Sequence, residues 1–346
     1  PPAPVYGIAV QEHFNDLVVG TYGRGYWIMD DITPLQQMTA EVMAQDAHLF
    51  KPRLAYRFRQ VEATEAVPGD PSTGQNPAYG ATINYWLKAA PSADPTITIL
   101  DDRGALVQTI RGTRTVGVNR VRWDLRYEST RAPRLRVPPL YAPEITIPAD
   151  GLPAPSVGSM SILAPPGTYT VKLNVGGREF SQQLEVRKDP NSGGSLEGIR
   201  AQTAFLQEVQ RSVVSSVGMI DTLQRHRSRL GEVRGTLAGS PTNRDLVPGA
   251  DSLEQKVIAV EDQLHQLKTT GRGQDGVRWP VKVAGQLLYL AGTAAGSDEG
   301  PTAQAREAQR YLDDRLAAAR RDFQRVMGEL EAYLARLRAR NVISEE

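Results

Sequence analysis

The 346-residue chain has no cysteine. That excludes a disulfide scaffold, a thiol nucleophile and any cysteine-ligated metal centre, and it leaves the compartment open. Histidine is scarce: only His13, His48, His226 and His265 occur. None stands in a His-x-x-x-His or His-Glu-x-x-His spacing, and no carboxylate cluster shares a helix face with one, so neither a metal site nor a cofactor is expected. No apolar run approaches the roughly 20 residues of a membrane-spanning helix. Charge of one sign is missing too. The 40 basic and 39 acidic residues leave a net charge of +1, which offers no electrostatic attraction for nucleic acid or an anionic membrane.

Short β-rich runs open the chain. Leu17–Thr21 and Gly25–Met29 flank Tyr22-Gly23-Arg24-Gly25, where glycine supplies the positive φ of a tight turn. Pro4–Val10 reads as a third strand. A three-stranded piece alone is marginal in water, and nothing earlier in the chain can pair with it or cover both its faces. Residues 1–35 are therefore expected to be the end of a larger sheet.

From about 45 to 189 the pattern is two-residue alternation. Tyr56–Val61 places Tyr56, Phe58 and Gln60 on one face and Arg57, Arg59 and Val61 on the other. Similar runs occupy Ala81–Leu87, Thr96–Leu100, Leu106–Ile110, Val118–Leu125, Thr168–Val175 and Arg178–Val186, bounded by turn signals such as Asp101-Asp-Arg-Gly104 and Gly176-Gly177. Short strands at this spacing predict an Ig-like antiparallel β-sandwich. The stretch 131–166 interrupts it with nine prolines. Proline removes a ladder donor, so this is an insertion, either a binding arm or a loop along the sandwich edge.

After the joint Asn191-Ser-Gly-Gly-Ser195 the period becomes helical. Leu206, Val209, Val213, Ile220, Leu223 and Leu230 mark one long helix. Asp251 and Glu254 resemble a capping box that opens a second. Pro280 suits the first turn of a third, and the last begins near Pro301, with a stripe from Leu312 through Leu316, Ala319, Phe323, Val326, Leu330 and Tyr333 to Leu337. An antiparallel four-helix bundle over 195–341 is predicted; an intermolecular coiled coil would use the same stripe.

Chemistry is hard to find. Val157-Gly-Ser-Met-Ser161 is not a nucleophile elbow, because it lies in the proline-rich insertion and not between strand and helix. Adjacent Asp30 and Asp31 point to opposite faces of an extended strand, so they cannot flank one glycosidic bond. One of them could complete a site elsewhere, or Asp31 caps the turn at Thr33-Pro34. No catalytic residue is assigned. Arg24 at a turn tip, and Trp86 and Trp123 in strands, are the candidate binding residues, against the alternative that the tryptophans are sandwich core.

Asp16-Leu-Val-Val-Gly-Thr-x-Gly-Arg-Gly-x-Trp-Ile-x-Asp-Asp-Ile-Thr-Pro-Leu35 resembles the last blade of large bacterial β-propeller proteins with bacterial-neuraminidase-type repeats, described as sortilin-like or glycosyl-hydrolase-like. His48-Leu-Phe-Lys-Pro-Arg53, Asn76-Pro-x-Tyr-Gly80, Asn119-Arg-Val-Arg-Trp-Asp-Leu-Arg126, Ala164-Pro-Pro-Gly-Thr-Tyr-Thr170 and Val186-Arg-Lys-Asp-Pro190 are similar, in that order, to the segments that follow the propeller there. No Ser-x-Asp-x-Gly-x-x-Trp repeat occurs. The resemblance implies a secreted or periplasmic protein whose propeller lies upstream. This chain would be a non-catalytic segment that closes and braces the propeller, with a protein or glycan ligand held by the parent. Two other readings stay open: the tail of a glycoside hydrolase with its carboxylates in upstream blades, or a module that self-associates through its helices.

Overall fold

A computed structural model describes residues 2–59, 77–271 and 273–344. In chain order the strands are β1 (Val5–Gln11), β2 (Asp16–Thr21), β3 (Tyr26–Met29), β4 (Ala47–Leu49), β5 (Ala55–Arg57), β6 (Ala81–Leu87), β7 (Thr96–Leu100), β8 (Leu106–Arg111), β9 (Gly117–Trp123), β10 (Arg134–Leu135), β11 (Leu152–Pro153), β12 (Gly167–Val175) and β13 (Arg178–Lys188). The helices are α1 (Thr33–Gln37), α2 (Ala40–Ala44), α3 (Leu196–Ala238), α4 (Val247–Leu264), α5 (Asp275–Arg278), α6 (Val283–Ala294) and α7 (Ala303–Ala339). Gln60 and Val61 of the predicted Tyr56–Val61 run, and Asn76 of the Asn76–Gly80 segment, lie outside the described residues.

The chain divides into two compact units. One holds Pro1–Glu128 with Ile162–Leu196, the other Ser129–Ser161 with Glu197–Glu346. The β unit carries three sheets. β1-β2-β3 is antiparallel. A five-stranded sheet runs β5-β13-β12-β7-β8, and a three-stranded sheet runs β4-β6-β9. Within these last two every pairing is antiparallel except β5 on β13, which is parallel. The two sheets share one core of Leu49, Ile83, Tyr85, Leu87, Trp123, Ile97, Ile99, Val171, Leu173 and Leu184. Alternation explains the split: Ile83, Tyr85 and Leu87 point into this core while Asn84 and Trp86 take the opposite face of β6. On β5 it is Ala55 and Arg57 that are buried, with Tyr56 and Phe58 only half-buried. The Arg57 guanidinium is carried inside because its Nε donates to the Ala164 carbonyl at 3.0 Å.

Gly80 precedes β6 with φ +126°, and a Cβ there would lie 2.1 Å from the Trp123 carbonyl oxygen. No side chain fits between these two strands at that point.

The helical unit is built on α3, of 43 residues, and α7, of 37. The predicted α7 stripe is buried except at Phe323, which is half-buried. Thr302 caps its N-terminus by accepting from the Ala305 N–H at 3.1 Å. Two predicted starts are displaced. α4 begins at Val247 after a 3₁₀ turn over Pro241–Leu246, so Asp251 and Glu254 lie inside the helix and both pair with Arg234 instead of forming a capping box. Pro280 lies before α6, whose N-cap is Lys282.

The proline-rich insertion, read from sequence as an arm or an edge loop, is built into the helical unit. β10 and β11 pair within it, and Leu135, Ala142, Ala154 and Val157 are buried. α3 holds its backbone through two side chains one turn apart. Asp221 Oδ1 accepts from Arg134 N at 2.9 Å, and Gln224 Oε1 accepts from Arg136 N and Val137 N at 2.6 and 3.2 Å. The segment's own ladder is only two residues long on each side, so helix side chains take up the N–H groups of Arg134, Arg136 and Val137.

Candidate functional site: a polar joint between two sheets

Motifs far apart in sequence meet where β1-β2-β3 joins the outer face of β4-β6-β9. β3 ends at Asp30-Asp31, and Asp31 takes a left-handed φ of +53° that turns the chain into α1. Its carboxylate is wholly buried and acts as a two-sided clamp. Oδ1 accepts from Thr33 N at 3.2 Å, closing the turn, and Oδ2 accepts from Asn84 Nδ2 at 2.9 Å. Asn84 in turn accepts from Arg120 Nε at 2.9 Å. The same guanidinium donates to the Asp30 and Asp31 carbonyls, each at 2.8 Å. Asn84 and Arg120 can do this because they are direct cross-strand partners on β6 and β9.

The β1–β2 turn closes the other side. Asp16 Oδ1 accepts from Asp31 N at 2.8 Å and pairs with Arg53 at 3.4 Å, while Arg53 also donates to the Phe14 carbonyl. His13 stacks on Tyr56 with ring centroids 5.2 Å apart, and the Arg53 guanidinium lies over Phe14. Arg122, two residues from Arg120 on the same face, donates to the Ala78 carbonyl; burial first, then the Arg120 charge, pulls its pKa below the ordinary arginine value. Asp16, Asp31, Arg53, Asn84 and Arg120 thus form one network in which the carboxylates and guanidiniums have named partners. Such a network holds two sheets together, with the Asp31–Asn84 bond buried at its centre and Arg120 exposed at its edge.

The other face of this story is the end sheet itself. Ile8, Val19 and Trp27 are cross-strand partners, as are Val10, Leu17 and Met29, and these six share one face. Ala9, Val18 and Ile28 share the opposite face, with Tyr26 beside them. Both faces are apolar and both are open: Ile8 is 67 % exposed, Trp27 47 % and Tyr26 82 %.

The three candidate binding residues are not brought together. Arg24 is exposed at the tip of the β2–β3 turn, where Thr21 Oγ1 donates to Gly25 O at 2.8 Å. It lies at the far end of β3 from Asp30, about 20 Å away at ~3.3 Å per residue. Trp86 is half-buried on the outer face of β6, opposite His48 and Val118, and its indole N–H has no acceptor among the described residues. Trp123 is fully buried in the core, edge-on to Tyr169, and donates to the Arg126 carbonyl at 2.8 Å. It offers no surface to a ligand. Sequence reasoning missed Asn84, Arg53 and Arg120. The available signal was two arginines at i and i+2 on a strand, a spacing that aims both at one face.

A second buried polar cluster lies in the helical unit. Glu261 on α4 accepts from Arg227 at 2.9 Å, from the His265 ring at 2.8 Å and from Gln224. Burial pushes the Glu261 carboxyl up, but the His265 hydrogen bond and the Arg227 charge more than offset it and hold the pKa below its ordinary value. Through Gln224 this cluster also fixes the proline-rich segment. All four side chains are buried, so no substrate reaches them. Among the described residues no group of three His, Asp or Glu side chains is placed to hold a metal ion, and no helix is long and apolar enough to cross a membrane.

No family model matches the chain, and no curated protein does. Among solved structures it is matched to a chain titled "pT26-6p", with 11 % identity, a TM-score of 0.17, and coverage of 75 % of this chain and 48 % of that one. The chain thus spans about half the length of the structure it matches. A likeness of that size carries no inference.

Proposed function

We propose that β1–β3 are the closing blade of a β-propeller, and that the chain is the C-terminal support of an extracytoplasmic sortilin-like propeller protein. In this reading the two sheets with a common core are an Ig-like sandwich, and α3, α4, α6 and α7 are a four-helix bundle. The role is structural and interactive, with a protein or glycan bound by the upstream blades and no catalytic group contributed from this chain. One observation carries it: a sheet apolar on both faces, open on both, and anchored at one end by a partly buried polar network. An end sheet meant to stand alone would present polar side chains on at least one face. Burying Ile8, Trp27 and Met29 against neighbouring strands would contribute about 1.5–3 kcal/mol each.

Hydrogen–deuterium exchange tests this on the chain alone and on a version extended upstream through the preceding blades. The amides of β1–β3 should exchange rapidly in the chain alone and become protected by at least tenfold in the extended protein, with the joint at Ile32 protected in both. Equal protection of β1–β3 in the two proteins would overturn the reading.

A further inference from the structure

α6 and α7 are joined by residues 295–302, and between them lies a hollow of about 490 Å³. That volume is in the range of small-molecule sites. Its floor is Leu290, Ala294 and Leu312 with the small side chains Ala305 and Ala308, which leave space where α7 residues elsewhere fill it. Its walls are Tyr289 and Tyr311, 77 % and 60 % exposed. Exposed tyrosines beside an apolar hollow offer ring faces for stacking and hydroxyls for hydrogen bonding.

The hollow is held in shape. Buried Gln202 on α3 donates to the Ala294 carbonyl at 2.8 Å and to the Ser297 carbonyl, pinning the connection between the two helices. On the other side Arg315 donates to Gln286 Oε1 at 3.1 Å and lies 5.6 Å from the Tyr311 ring centroid, which fixes that wall. Among the described lining residues none is charged; the polar groups are hydroxyls and the amides of Gln286 and Gln304, with the Arg315 guanidinium behind Gln286 and Tyr311. A cation entering it would lose hydration, meet no carboxylate in the lining and be opposed by Arg315.

We infer that the α6–α7 hollow is a binding site for an uncharged, ring-bearing small molecule, stacked between Tyr289 and Tyr311 over the alanine floor. This does not depend on the propeller reading. The ring faces meet tyrosine, the edge bonds to hydroxyl or amide, and a cation is discriminated against.

The probes are 2-naphthol and 2-naphthylmethylammonium, titrated calorimetrically into the full chain at pH 7. The uncharged naphthol should bind saturably at one site, and the cation at least tenfold more weakly. Ala308→Phe, which fills the floor, should weaken naphthol binding at least tenfold. Tyr289→Ala, at an exposed position that does not endanger folding, should weaken it severalfold. Both variants should keep the parent's helical circular dichroism. Absence of saturable naphthol binding would overturn the site. So would affinity unchanged in Tyr289→Ala, or unchanged in a folded Ala308→Phe, since binding would then lie elsewhere, for example on the open end sheet. Equal binding of the ammonium would overturn the assigned ligand class.

Discussion

The buried bond between Asp31 and Asn84 permits a swap in which each single change is destructive and the pair restores. Asp31 Oδ2 accepts from Asn84 Nδ2 at 2.9 Å, and Asn84 Oδ1 is already committed to Arg120 Nε at 2.9 Å. Asp31→Asn keeps the turn to Thr33 N and tolerates the φ of +53°. It also sets an amide NH₂ against the NH₂ of Asn84. Asn84 cannot flip without stranding the Arg120 donor. The loss is a charge-assisted bond plus a buried unpaired donor, about 2–4 kcal/mol. Asn84→Asp alone places two carboxylates face to face and costs a similar amount. In Asp31→Asn/Asn84→Asp, the new amide at 31 donates to the new carboxylate at 84, whose other oxygen accepts from Arg120. Every partner is satisfied again, and the stability should return to within about 1 kcal/mol of the parent.

The assay is native-state exchange of the Ile32 amide, which donates to the Asn15 carbonyl at 2.9 Å and is next in chain to Asp31. A loss of 2.8 kcal/mol in the local opening free energy is about a hundredfold in exchange rate. Each single variant should therefore exchange roughly 30- to several-hundredfold faster, and the double variant within about fivefold of the parent. A double variant as fast as the sum of the two losses predicts would refute the reasoning, because it would show that the carboxylate and amide do not meet.

Two further outcomes follow from the packing and the charges. Gly80→Ala should cost at least about 3 kcal/mol by urea denaturation followed through tryptophan fluorescence, because its Cβ would sit 2.1 Å from a backbone oxygen at a positive φ; a loss under 1 kcal/mol would show that the strands can part there. Glu261→Gln should cost about 3–5 kcal/mol at pH 7 by leaving the Arg227 charge buried without its partner. The Glu261 carboxyl titrates below its unfolded value, so its stabilisation is complete above about pH 4.5 and is lost as the pH falls through the lower, folded value. Far-ultraviolet circular dichroism of urea-induced unfolding at pH 7, 5 and 3.5 should show the gap between parent and variant closing only in the most acidic sample.

Strand positions and the long helices were legible because burial imposes periodicity. Ile83, Tyr85 and Leu87 alternate because one face of β6 meets a core, and Leu312 to Leu337 recur every three or four residues because one stripe of α7 does. Other features leave no such trace. Arg57 reads as an outward residue of an alternating strand, and only the distant Ala164 carbonyl explains its burial. The proline-rich segment carries no period, so nothing local reveals that Asp221 and Gln224 on α3 hold its backbone. Helix starts were misplaced where a 3₁₀ turn precedes the helix, since Asp251 and Glu254 match a capping pattern that pairing with Arg234 explains instead.

The joint bears on what a motif means. Asp16, Asp31, Arg53 and Arg120 look functional by residue type: acids and arginines beside glycines and an exposed tryptophan. In the fold each is hydrogen-bonded to another member of the set or to backbone. Gly80 and Trp123 belong with them, one forced to lack a side chain by the other's carbonyl. A motif whose charged members satisfy one another constrains how two sheets meet, and a motif that serves a ligand must leave at least one of them unsatisfied. By that criterion Asp16, Asp31, Arg53 and Arg120 read as architecture. The hollow proposed as a binding site is lined instead by residues the sequence leaves bland, alanines and tyrosines on two helices.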